Sequence, residues 1–151
     1  MAKTWTPKDY PEESKNKLAQ LMVETKEVRD RLDKLDEEIK MVDATNRVAI
    51  KDLAKRATGD GNYLRKKLSK LAAAAVNEKG YRYMEIKLEC NTNELSFADG
   101  AAKQEAEAYI GPLRMIRDIF ESYVISADNI VSTCRLTLND NNKEQATASL
   151  D

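Results

Sequence analysis

An apolar seam with a mean period of three and a half residues constrains this chain more than any other feature. Alternate steps of three and four from Leu18 meet Leu21, Thr25, Val28, Leu32, Leu35, Ile39, Val42, Asn46, Ala49 and Leu53. That period keeps one stripe of a helix against a partner and favours a left-handed supercoil. It predicts one helix from Ser14 to about Ala57, with Ser14 as its N-cap and Pro11, Glu12 and Glu13 leading into the positive helix end. Two coverings of the seam fit equally well, another helix of the same chain or a second copy. As a surface shared between copies it would use Leu18, Leu21, Val28, Leu32, Leu35, Ile39, Val42, Asn46 and Leu53, with the buried Asn46 amide fixing the register.

The composition suits a long assembly that buries narrow seams. Charged residues make up 34% of the 151-residue chain and aromatics 6%, with five glycines and three prolines, which points to helices rather than a β fold. Thr58-Gly59-Asp60-Gly61-Asn62 reads as the turn that ends the first helix and reverses the chain, because two glycines can take positive φ. A second helix follows, with Leu64, Leu68, Leu71 and Ala75 on one face; Gly80 either interrupts or merely weakens it. Ser96 to Gly100 reads as another turn. The last helix then carries Ala106, Tyr109, Leu113, Ile116, Phe120, Tyr123, Ala127, Ile130, Cys134 and Leu138 on one stripe. The apolar phase continues across Gly111-Pro112, so a kink is expected there, with a fresh start at Pro112 as the alternative.

The expected architecture is therefore all-α: a long antiparallel helical hairpin or coiled-coil bundle that forms homo-oligomers. An arm at 1–13, with Trp5 as an aromatic anchor, precedes a single helical domain at 14–139. The run Asn139-Asp140-Asn141-Asn142 is expected to end the last helix, and the polar tail at 140–151 to be disordered.

Charge is even overall, at a net -1, but uneven along the chain. From Arg47 to Lys70 there are eight bases, Arg47, Lys51, Lys55, Arg56, Arg65, Lys66, Lys67 and Lys70, against Asp52 and Asp60. With a hairpin turn at Thr58–Asn62 these bases gather at one tip, where several phosphates could be neutralised together. Tyr63 is the one aromatic inside the patch, so a base-stacking platform is thin. Between Glu85 and Asp128 nine acids face four bases, and this acidic segment is the natural counterpart of the basic one.

Reaction chemistry is not visible. Histidine is absent, which removes the commonest general base and zinc ligand. Cys90 and Cys134 lack metal-site spacing and read as reduced core thiols. Glu85 with Glu89 and Glu105 with Glu107 are spaced as carboxylate pairs but sit in charge-rich helical sequence. Ser122, Ser126, Ser132 and Thr133 have no base beside them. The expectation is a non-enzyme without cofactor or metal. The absence of a long apolar run and of an apolar leader points to a cytoplasmic protein off the membrane.

From Lys51 to Arg135 the layout is a basic stretch, a helix containing Tyr81-Arg82-Tyr83-Met84-Glu85, a polar turn, and a long helix ending near Ser132-Thr133-Cys134-Arg135. This layout resembles the phage recombination mediators of the UvsY-like family. The resemblance implies a small helical protein that forms rings, binds single-stranded DNA through lysines and arginines, and assists a recombinase. Two functions follow as expectations. The first is an oligomeric accessory protein that holds single-stranded DNA or RNA at the basic tip. The second is a helical scaffold, adaptor or inhibitor that binds another protein and has no nucleic-acid role.

Overall fold

The computed structural model describes residues 5–150. The first four residues of the expected arm, and Asp151 at the end of the expected tail, lie outside them. All regular structure among the described residues is helical: α1 Glu12–Glu24, α2 Lys26–Met41, α3 Arg47–Thr92, α4 Asp99–Tyr109 and α5 Gly111–Ala148. No helix among the described residues is long and apolar enough to cross a membrane. The chain divides into two compact units, Met1–Val23 with Leu68–Asp118 and Glu24–Lys67 with Ile119–Asp151.

The second unit joins α2, the first part of α3 and most of α5. Its core is Val28, Leu32, Leu35, Ile50, Leu53, Ala57, Leu64, Phe120, Val124, Ala127, Ile130 and Cys134, all buried. The seam therefore does not run along one helix. It is divided among α1, α2 and the start of α3, and Leu18, Val28, Leu32, Leu35 and Leu53 are buried within the chain itself. Those five side chains serve internal packing.

The reversal expected at Thr58–Asn62 lies instead at Val42–Asn46. Val42 is extended, at φ -69 and ψ 139, and its N–H donates to the Glu38 carbonyl at 3.0 Å. The Asp43 carboxylate accepts from the Thr45 N–H at 2.9 Å and the Thr45 hydroxyl at 2.8 Å, so a local side-chain turn outcompetes the helix. Asn46 is an exposed N-cap whose Oδ1 accepts from the Ala49 N–H at 3.1 Å, not a buried amide at a seam position.

Gly59 and Gly61 lie in the interior of α3, and no glycine among the described residues has positive φ. Gly61 is there for proximity. A Cβ built on it would lie 2.8 Å from the Ala127 Cβ of α5, whereas one on Gly59 would meet nothing within 4 Å. The two glycines of the expected turn thus mark a close helix crossing and an open surface.

Helix α5 does not end at Asn139–Asn142, as expected from that polar run, but continues to Ala148. Two contacts hold this end to the α2–α3 turn. Asn141 Nδ2 donates to the Ala44 carbonyl at 2.5 Å, and Arg47 Nη1 donates to Gln145 Oε1 at 3.1 Å.

The first unit packs the arm and α1 with the later part of α3, α4 and the start of α5. Helix α1 starts at Glu12, two residues before the expected cap, with the Pro11 carbonyl accepting from Lys15 N–H at 3.0 Å. Gly80 does not interrupt α3, and at Gly111-Pro112, where a kink is expected, the chain instead ends one helix and starts another, with Ile110 between them. Helix α3 closes in a left-handed turn at Glu94, φ 53, with the Leu95 N–H bonded to the Cys90 carbonyl at 2.9 Å. Leu95, Trp5 and Tyr83 then pack against the buried cluster Ile86, Cys90 and Ala102. Both cysteines are free and buried, and burial raises the Cys134 thiol above its ordinary value.

Arg82 is 1% exposed at the centre of this unit. It pairs with Glu85 at 2.9 Å, Glu105 at 3.2 Å and Glu89 at 3.5 Å, and donates to the Thr6 carbonyl at 3.2 Å. Its guanidinium lies 5.8 Å from the centre of the Tyr109 ring, which packs in an edge-type pair with Tyr10. Lys8 ties the arm to the same network through Glu85 at 2.6 Å, and the Tyr10 hydroxyl donates to Glu78 at 2.5 Å. Three of the four acids considered as catalytic pairs are thereby assigned to holding one arginine.

This network carries an acid sensitivity. The Lys8 ammonium first, and Arg82 after it, hold the Glu85 carboxyl below its ordinary 4.5, and Lys79 does the same for Glu107. A carboxyl with a depressed folded pKa stabilises the fold fully above the unfolded value and loses that contribution as pH falls through the folded one. The urea midpoint is expected to be flat from pH 7 to about 5 and to fall below about 4.5, less steeply in Lys8→Met.

Candidate nucleic-acid interface

The eight bases do not gather at a tip. All lie along one continuous helix, Lys70 on the part belonging to the first unit and the other seven on the part belonging to the second. Within the second unit they separate by chemistry. The arginines are engaged: Arg56 with Glu38 at 2.7 Å and Asp52 at 2.8 Å, Arg65 with Asp128 at 2.6 Å, and Arg47 with Gln145. Asp60 is held by Arg31 at 2.9 Å. The acids that could neutralise the patch are thus each taken by an arginine, and Arg56 holds the Glu38 carboxyl below its ordinary value.

Lys51, Lys55 and Lys66 are exposed and form no ion pair among the described residues. At 100° per residue they fall within an arc of about 60°, opposite Leu53, Ala57 and Leu64, and span about 22 Å. Gly59 and Asn62 lie on the same exposed side and add no charge. Lys67 is half-buried, with its ammonium 5.5 Å from the centre of the Tyr63 ring.

Beside the row, between α3 and α5, runs a groove of about 270 Å³ that Thr58, Asn62, Arg65, Ser132 and Arg135 help to line. Arg135 is exposed and forms no ion pair among the described residues. Nothing beside it in the sequence marks it as part of the patch, because its neighbours in the groove come from α3, some seventy residues earlier. Of the acidic counterpart expected between Glu85 and Asp128, Asp128 reaches this patch, on Arg65. Among the described residues no cluster of three metal-ligating side chains occurs.

Compared with known proteins, the chain matches no family model, and no curated protein and no solved structure is significantly similar to it.

Proposed function

We propose that this protein is a non-enzymatic helical accessory protein that holds single-stranded nucleic acid along the outward lysines of α3. The supporting observation is the division of labour in the basic patch. Arginines satisfy Glu38, Asp52, Asp60 and Asp128, and the ammonium groups of Lys51, Lys55 and Lys66 are left to solvent. Lysine acts as a flexible point charge, which suits sequence-independent contact with phosphates. The neighbouring groove adds Asn62, Ser132 and Arg135 as donors for phosphate or sugar oxygens, and Tyr63 offers one aromatic edge.

Fluorescence anisotropy with a labelled oligothymidylate of about 20 nucleotides tests this reading. At low salt the protein is expected to bind. The triple variant Lys51→Glu, Lys55→Glu, Lys66→Glu should weaken binding by a factor of about 10 or more. The same charge change at the exposed Lys15, Lys17 and Lys143 should matter far less. Absence of binding, or equal losses in the two triple variants, would remove the reading.

A further inference from the structure

In the first unit the solvent side of α3 has a different character. Val76, Tyr81, Met84 and Leu88 are 69%, 76%, 59% and 66% exposed, and Ala73 and Gly80 share their side of the helix. The steps from Val76 through Gly80 and Met84 to Leu88 are four residues each, so an apolar strip about 18 Å long faces solvent. It is dented in the middle. A Cβ on Gly80 would meet nothing within 4 Å, and a groove of about 320 Å³ opens there between α3 and α4, lined by Val76, Lys79, Gly80, Tyr83, Lys103 and Ala106 together with Glu107.

On the α4 side of the strip the charges are mostly of one sign, whereas on its other side Tyr81 shares a groove with Glu78 and Glu85. The acids on this stretch of α3, Glu78, Glu85 and Glu89, are turned to Tyr10, Lys8 and Arg82. The border carries Lys70, Lys79, Lys87 and Lys103. Lys103 pairs with Asp99, and Glu107 is shared by Lys79 and Arg114 at 2.8 and 2.9 Å. Lys70 and Lys87 form no ion pair among the described residues.

We infer that this strip is a docking site for an acidic amphipathic helix of a partner protein, which seats one large apolar side chain in the dent at Gly80 and sets carboxylates against the lysine border. Helix-in-groove recognition uses anchors at this spacing, and an adaptable methionine beside the dent suits it. A second copy of this chain does not fit, because two such strips face to face would oppose lysine to lysine. A bilayer surface is flat and would leave the dent empty, whereas a helix side chain fills it.

The test uses the full chain and two labelled amphipathic peptides with the same leucine face, one with glutamate and one with lysine on the polar face, together with phosphatidylglycerol vesicles. The glutamate peptide is expected to bind at least about tenfold more tightly than the lysine peptide. Gly80→Leu, which fills the dent at an exposed helical position, and Met84→Glu with Leu88→Glu should each abolish that binding while the circular dichroism stays helical. The Lys51, Lys55, Lys66 triple variant should bind the peptide as the wild type does, which separates this site from the proposed nucleic-acid contact. The inference is overturned if neither peptide binds, if the two bind equally, if the triple variant loses the peptide, or if the vesicles bind and the glutamate peptide does not.

Discussion

Arg82→Met should destabilise the protein by about 3–5 kcal/mol, the cost of removing one member of a buried ion-pair network and leaving the others uncompensated. The arginine has no exposed side-chain surface and faces Glu85, Glu89 and Glu105, of which Glu105 is the most buried at 9%. It also anchors the arm through the Thr6 carbonyl. Methionine matches the volume, so the loss reports charge and hydrogen bonding rather than a cavity. The double variant Arg82→Met, Glu105→Gln should regain part of the deficit because one orphaned carboxylate is gone. Urea denaturation of the single and double variants measures both. A loss below about 1 kcal/mol in the single variant would place Arg82 with ordinary surface ion pairs.

The second large effect distinguishes two residues that the sequence treats alike. Gly61→Leu should cost about 3 kcal/mol, because even its Cβ would come within 2.8 Å of Ala127 before the rest of the side chain is placed. Gly59→Leu, two residues away on the open side, should be neutral or stabilising by up to about 0.8 kcal/mol, the gain in helix propensity over glycine. A turn at Thr58–Asn62 would give a different pattern, with both substitutions unfavourable. Thermal or urea unfolding of the pair therefore reports directly on the continuity of α3.

That pair also shows what could be read along the chain and what could not. The all-helical class is legible from the heptad-like phase and the scarcity of glycine and proline, whereas at Gly111-Pro112 the continuous apolar phase points to a kink and the chain starts a new helix. The positions of the reversals are not legible. Stepping by threes and fours passed through Val42, Asn46 and Ala49 in phase, so a turn fitted inside an unbroken pattern. The informative signal was local: Asp43 and Thr45 form a side-chain turn and Asn46 caps the next helix. Gly59-Asp60-Gly61 misled because glycine serves a turn and a close helix crossing equally well, and only the position of Ala127 separates the two.

The candidate site was half legible for the same reason. Counting charge located the basic stretch, but pairing across helices decides which bases are available, and Asp128 lies far along the chain from Arg65. Likewise Glu85, Glu89 and Glu105 were visible as spaced acids, while the buried arginine they surround stood in the sequence as one more charged residue between two tyrosines.

The salt dependence of oligonucleotide binding tests the central claim most directly. If Lys51, Lys55 and Lys66 each neutralise a phosphate, the logarithm of the binding constant should fall with the logarithm of salt concentration, and the slope should be shallower by about 2 in the triple Lys→Glu variant. Parallel slopes for wild type and variant would contradict it.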